Sequence, residues 1–145
     1  GGQYMWTEAW RTTNEPTAHM QINSYLATRY KDNSRNILRD WGAFIHKQSK
    51  EGPVAVWGAA SKGVTFSLLI SEAKGTTAKI ACAIDLNEAK QGCFLPLSGA
   101  SVITPHQAMD MGVQSVIIMN PNYHDEILQM AHDMNWTPKF VTLNN

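Results

Sequence analysis

The chain has 145 residues, enough for about one domain, and its 43% apolar and 17% charged residues are typical of a globular protein rather than a disordered one. Its 12 basic and 12 acidic residues leave no net charge, so it lacks the electrostatic attraction that binding to nucleic acid or an anionic membrane requires. With two cysteines, no signal peptide and no apolar run near the ~18 residues of a membrane span, it is predicted to be cytoplasmic, with neither nucleic acid nor membrane as partner.

The start of the chain contains no apolar run typical of a buried strand. Residues 3–10 are rich in aromatic side chains and follow a Gly-Gly pair, which predicts a short extended strand with no obvious partner. The chain also lacks an initiator Met, so we expect a piece of a longer protein, with residues 1–15 a remnant of a preceding domain or a tail.

Residues 16–51 are predicted to form a helical lead-in. Apolar side chains recur there at spacings of three, four and seven, which places them on one helical stripe. The pattern predicts one long amphipathic helix, or two that separate at the polar residues 31–36, and the helix must stop at Gly52-Pro53 because proline lacks an amide donor. The stripe consists of Ile22, Leu26, Tyr30, Ile37, Leu38, Trp41, Phe44 and Ile45.

Residues 52–145 alternate between short apolar runs and helical patterns. The predicted strands are Val54–Trp57, Ile80–Ile84, Ser101–Ile103, Ser115–Met119 and Phe140–Leu143. Three helices are expected. The first runs from about Gly63 to Ala73, and the third from an Asn122 cap to about Met134. The second begins after a Thr104 cap, with Pro105 and Gln107 in its first turn. This alternation predicts the α/β class: a Rossmann-like, doubly wound parallel sheet of about five strands, preceded by the long amphipathic helix.

The most informative stretch is Gly58–Gly63, which reads Gly-Ala-Ala-Ser-Lys-Gly and joins the first strand to a helix. Gly58 permits a tight turn, the small Ala60 lets a phosphate approach the backbone, and Gly63 lets the helix pack closely. The helix start offers unpaired amides to an anion, and Lys62 could add a full charge. The alternative is a purely structural turn, since tight turns in such sheets favour small residues anyway.

Asp85 and Asn120 follow the second and fourth predicted strands, so they share the carboxyl edge of the sheet with the Gly58 loop, where ligands collect. Asp85 stands where a dinucleotide-binding fold places the carboxylate that binds ribose, or else it caps the turn at Asn87. Asn120 is the freer residue to face a ligand, while Asn122 is assigned to the helix cap.

His124, Asp125 and Glu126 lie at a predicted helix start. They could act as acid or base groups, but acidic residues in a first turn already complement the helix dipole. Their roles are left open, and the sequence assigns no catalytic residue and no metal ligand.

Three segments together resemble the C-terminal domain of sugar-nucleotide C-methyltransferases. They are the Gly-Ala-Ala-x-Lys-Gly loop at Gly58–Gly63, an Asp-x-Asn-x-x-Lys-x-Gly segment at Asp85–Gly92 with Leu95-Pro96 shortly after, and the Asp-Glu-Ile at Asp125–Ile127. The resemblance spans about residues 20–143. One departure is Pro121, which lies in a loop where the family often has a Trp-Asn or similar pair.

The resemblance implies a substrate-side domain whose parent protein also has a zinc-binding portion and an S-adenosylmethionine-binding methyltransferase domain. Residues 1–15 would then be the end of that methyltransferase domain, which would also be a partner of this one. No cofactor is expected within the chain, and the chain alone is not expected to transfer methyl groups. Contacts to a nucleotide-sugar, or to the adjoining domain, are implied for Gly58, Ala59, Ala60, Ser61, Lys62, Gly63, Asp85, Lys90 and Asn120.

Three functions follow from these patterns. The leading hypothesis is a substrate-binding and scaffolding domain of a methyltransferase that acts on a nucleotide-linked sugar or a related small molecule. The first alternative is an NAD(P)-binding module of an oxidoreductase, which the Gly58 loop and Asp85 favour. The second is a domain that mainly packs against its neighbour and leaves the loop empty.

Overall fold

A computed structural model of the chain describes residues 20–73 and 77–143, with side chains from residue 24 onward. All five strands predicted within these ranges are confirmed, with ends that shift by at most two residues. The predicted strand at residues 3–10 lies outside the described residues. The elements in chain order are α1 (Met20–Gln48), β1 (Val54–Trp57), α2 (Ser61–Glu72), β2 (Cys82–Ile84), β3 (Ser101–Ile103), α3 (Pro105–Asp110), β4 (Ser115–Ile118), a short 3-10 helix (Pro121–Tyr123), α4 (His124–Asp133) and β5 (Lys139–Thr142).

Helix α1 is one continuous helix, so the polar residues 31–36 do not divide it. Its predicted apolar stripe is buried only in part: Leu26, Tyr30 and Ile37 are 54%, 76% and 56% exposed. Ile45 is fully buried, with Leu38, Trp41 and Phe44 packed beside it in the core. The chain divides into two compact units, Gly1–Asn33 and Ser34–Asn145, and the buried part of the stripe belongs to the second.

The sheet is parallel throughout, in the order β3-β2-β1-β4-β5. Every residue of β1, β2 and β4 is buried, which explains why these strands are continuous apolar runs without polar alternation. Successive side chains of a strand point to opposite faces, so the sheet carries two apolar layers. One layer packs against α1 and α2 through Ile45, Phe66 and Ile70, and the other against α3 and α4 through Ala108, Ile127 and Ala131.

The helix starts test the predicted caps. At α3 the predicted capping box is confirmed: the Gln107 amide donates to Thr104 Oγ1 at 3.1 Å, and the Thr104 amide donates to Gln107 Oε1 at 2.9 Å. The Asn122 cap is wrong, because the Asn122 amide itself donates to Asn120 Oδ1 at 3.2 Å. The fixed φ of Pro121 starts a 3-10 turn there, which Asn120 caps, and α4 then begins after Tyr123 without a side-chain cap.

The strand order places β1 at the centre and creates a switch point beside it. From β1 the chain winds through β2 to β3 on one side, then crosses over to β4 and β5 on the other. The connections that leave the carboxyl ends of β1 and β4 therefore run in opposite directions. In open α/β sheets such a point leaves a crevice in which ligands bind.

Candidate functional site

The Gly58–Gly63 loop lies at this switch point, between β1 and α2. Gly58 has a φ of +117°, a conformation that side chains rarely adopt, so glycine is needed there for the turn. A Cβ at Gly63 would overlap the Gly58 carbonyl oxygen, because α2 starts directly against the loop. Both glycines therefore have the geometric roles that the sequence predicted for them.

The start of α2 presents groups that could receive an anion. Ala60 is its N-cap, and no side chain caps the helix through a hydrogen bond. The first amides of an α-helix have no partner within the helix, and they carry a partial positive charge. Lys62 lies in this first turn and is exposed, and among the described residues its side chain forms no hydrogen bond or ion pair. A cation and several amide donors are therefore available at this end of α2.

The side chain of Asp85, which directly follows β2, accepts hydrogen bonds from other residues of the chain. Its Oδ2 accepts hydrogen bonds from the Ala59 amide at 2.8 Å and from Lys90 Nζ at 3.0 Å, while its Oδ1 accepts one from the Asn87 amide at 2.9 Å. The side chain of Asp85 is only 12% exposed. The contact with Asn87 is the turn cap that the sequence offered as the alternative to ribose binding.

The same contacts control the charge of Asp85. Partial burial tends to raise the pKa of this carboxyl group, but the hydrogen bonds from the Asn87 amide, Lys90 and the Ala59 amide, together with the charge of Lys90, outweigh it. The pKa of Asp85 is therefore held below its usual range. Near neutral pH the carboxylate is ionised, and Lys90 provides its countercharge.

Gln91 is a further member of this region that the sequence did not single out. Its Nε2 donates to the Asp85 backbone oxygen at 3.0 Å, which fixes the loop after β2 from a second direction. No sequence motif predicts a contact between Asp85 and a glutamine six residues later, so this hydrogen bond is seen only in the structure.

On the β4 side, the loop is bordered by an apolar side chain, and polar and aromatic residues follow. Met119 is buried and lies against the positions where Gly58 and Gly63 would carry a Cβ. Asn120 is half-buried, and its Oδ1 is used by the cap, so Asn120 is less free than predicted. Tyr123 follows in the same loop and is 53% exposed, an aromatic ring that the sequence reasoning did not select.

Two further groups, a histidine and a buried thiol, lie apart from the loop. His124 Nδ1 lies 2.8 Å from Asp125 Oδ1, and the side chain of Asp125 is fully exposed, so these two form a surface pair. Cys82 is buried within β2, and burial raises the pKa of its thiol to about 11. Within residues 20–73 and 77–143 no cluster of three or more His, Cys, Asp and Glu side chains could hold a metal ion.

The structure thus joins most of the predicted site residues. The Ala59 amide of the Gly58–Gly63 loop, Asp85 and Lys90 are linked by direct hydrogen bonds, and Asn120 lies two residues after the end of the neighbouring strand β4. Contact of any of these residues with a ligand stays a prediction. None of the helices in the described part of the chain is long and apolar enough to cross a membrane.

Comparison with known proteins gives a family and similarity to solved structures. A family model described as the C-methyltransferase C-terminal domain matches residues 8–143. Among solved structures, the crystal structure of UDP-D-quinovosamine 4-dehydrogenase from Vibrio fischeri is similar with a TM-score of 0.48 and 14% sequence identity, covering 64% of this chain and 78% of that chain. No curated protein matches the chain.

Proposed function

Because the chain belongs to the family of C-methyltransferase C-terminal domains, we propose that it is the substrate-binding and scaffolding domain of an S-adenosylmethionine-dependent methyltransferase. The proposed substrate is a nucleotide-linked sugar or a related small molecule. The observation that carries the proposal is the geometry of the Gly58–Gly63 loop, which brings Lys62 and the uncapped start of α2 to the carboxyl edge of the sheet. Amides and a cation in this arrangement suit a diphosphate.

The surroundings of the loop suit the rest of such a ligand. The segment after β4, next to the loop in the sheet order, carries Asn120 and Tyr123, an amide side chain and an exposed aromatic ring. Asn120 has used its side-chain oxygen in the cap, but the amide nitrogen of the same side chain can still donate. A ring such as that of Tyr123 can stack on a flat base or on the apolar face of a sugar.

The described residues do not fit the cofactors of a whole methyltransferase. A Rossmann-like S-adenosylmethionine or dinucleotide site needs a carboxylate for the ribose hydroxyls, and the Asp85 carboxylate is held by Ala59, Asn87 and Lys90. Zinc would need a cluster of ligands that these residues lack. We therefore assign both cofactors to other parts of the parent protein, with the preceding methyltransferase domain as partner. The thiols of Cys82 and Cys93 are free, which fits our proposal of a cytoplasmic location.

A domain that mainly packs against its neighbour is the second candidate. It is favoured by the fact that Gly58, Gly63 and Asp85 all have roles within the fold itself. In that case the loop would be shaped for packing alone and would bind no nucleotide.

Titration calorimetry of the chain with UDP-glucose, NAD⁺ and S-adenosylmethionine separates these functions. We expect saturable binding of UDP-glucose and no binding of the other two. Lys62→Ala should weaken this binding by about tenfold at unchanged stability, the loss expected for one charge-assisted phosphate contact. Lys79→Ala is the matched control, because Lys79 is an exposed lysine at the amino end of β2, away from the loop. Absence of saturable UDP-glucose binding would favour the packing domain, and tight NAD⁺ binding would favour the oxidoreductase module.

A further inference from the structure

The Gly58–Gly63 loop lies between the residues that follow β2 and those that follow β4. Among the described residues, its hydrogen bonds to these neighbours go only to the β2 side. Towards β2, the Gly58 amide donates to the Ile84 carbonyl oxygen at 2.8 Å and the Ala59 amide donates to Asp85 Oδ2 at 2.8 Å. Towards β4, no hydrogen bond joins the loop to residues 119–124 within the described part of the chain. The chain itself closes one side of the loop, and only apolar contact with Met119 borders the other.

The negative charge on the β2 side of the loop is balanced within the chain. Lys90 Nζ lies 3.0 Å from Asp85 Oδ2, so the oxygen that holds the Ala59 amide has its countercharge beside it. Oδ2 accepts two bonds from within the chain, from the Ala59 amide and Lys90, and Oδ1 accepts one, from the Asn87 amide. A ribose that bonded to both oxygens would have to displace the Ala59 amide or Lys90 from Oδ2, at the cost of a charge-assisted hydrogen bond.

We infer that Asp85 is a positioning residue: with the Ala59 amide and Lys90 it forms a clamp that holds the loop and closes its β2 side. A nucleotide diphosphate then binds on the β4 side, between the loop and Asn120, and NAD⁺ binds poorly because the clamp already fills Oδ2 of the carboxylate that would receive its ribose. The location of the nucleotide rests on the proposed function, whereas the clamp itself does not.

The clamp is tested first without any ligand, by hydrogen–deuterium exchange at the Ala59 amide in the whole chain. Asp85→Ala should speed this exchange by about tenfold, because the amide loses its acceptor. Asp85→Asn should give a smaller change, because the carboxamide oxygen can still accept the bond. Glu88→Gln removes one negative charge from an exposed position in the same loop and should change nothing. Exchange that is equal in all four proteins would overturn the clamp, and Asp85→Asn keeps the test readable if Asp85→Ala does not fold.

The ligand side is tested by titrating the ¹⁵N-labelled chain with UDP and separately with NAD⁺. UDP should shift the amides of residues 59–63, 120 and 122–124 and leave those of residues 87–90 in place, and NAD⁺ should shift none of them. Asp85→Asn should weaken UDP binding by about fivefold, as expected for a misplaced loop amide, while Glu88→Gln should not. Shifts at residues 87–90 with either ligand would overturn the inference. If UDP shifts no amide, the proposed function is wrong, and the exchange series at Ala59 still decides the clamp.

Discussion

The two sides of the Gly58–Gly63 loop differ in what holds them. On the β2 side, a carboxylate, a lysine and backbone amides are paired at 2.8–3.0 Å. On the β4 side, the buried Met119 side chain fills the contact, and the polar groups of the next loop bond among themselves. The residue after β2 is therefore bonded to the loop itself in this chain, and we expect this bonding to decide which side of the loop a ligand uses.

The largest expected loss of stability comes from a substitution at Gly63, which affects both the β2 and the β4 side of the loop. Gly63→Ala places a methyl group on the Gly58 carbonyl oxygen, so the start of α2 must move away from β1. We expect a loss of about 2–3 kcal/mol in the free energy of unfolding, although alanine is the better helix former by about 1 kcal/mol. Urea denaturation measures the change. Ser61→Ala, in the same helical turn, serves as control and should stay within about 0.5 kcal/mol. Equal stability of the two variants would show that α2 does not start tightly against the loop.

Two substitutions, one on each side of the loop, compare how much the β2 and β4 sides contribute to stability. Asp85→Ala should lower the free energy of unfolding by about 1–2 kcal/mol, since it leaves the Ala59 amide and Lys90 without their acceptor in a site that is only partly exposed. Asn120→Ala removes the cap of a short 3-10 helix, which should cost only about 0.5–1 kcal/mol. Chemical denaturation of both variants gives the order. A larger loss for Asn120→Ala would reverse the assignment of the clamp to the β2 side.

The smallest effect is a dependence on pH that only the β2 side should show. The pKa of Asp85 is lowered in the folded chain, so its stabilising contribution is present above its unfolded pKa of about 3.9 and is lost as the pH falls through the folded value. Asp85→Asn has no such group. The difference in unfolding free energy between the original chain and Asp85→Asn should therefore shrink as the solution is acidified below about pH 4. A difference that stays constant over that range would mean that Asp85 titrates alike in both states.

Much of the fold could be predicted from local patterns. The strands were visible because parallel strands buried on both faces are unbroken apolar runs, and α3 was visible because Thr104, Pro105 and Gln107 form a complete start signal. The cap of α4 is wrongly predicted at Asn122, since nothing in the sequence indicates that Asn120 caps a separate 3-10 turn and that α4 starts after it without a side-chain cap. The exposure of Leu26, Tyr30 and Ile37 depends on where the core ends, which helical periodicity does not encode.

The sequence places the candidate site residues near one another, but it does not predict the hydrogen bonds between them. The positions of Gly58, Gly63 and Asp85 follow from strand order and spacing along the chain. The hydrogen bond between the Ala59 amide and Asp85 joins residues 26 apart, and it depends on the register of β1 against β2. That contact turns a candidate ribose ligand into a structural acceptor, and no spacing rule distinguishes the two roles.

The central proposal for this domain is that a nucleotide-linked sugar occupies the β4 side of the Gly58–Gly63 loop. A crystal structure of the chain with UDP-glucose tests this most directly. We predict the diphosphate at the first turn of α2 beside Lys62, with the rest of the ligand directed towards Asn120 and Tyr123 and the bond between Ala59 and Asp85 intact. A ligand whose ribose displaces Lys90 from Asp85, or a crystal grown at saturating UDP-glucose that shows none at the loop, would contradict the account.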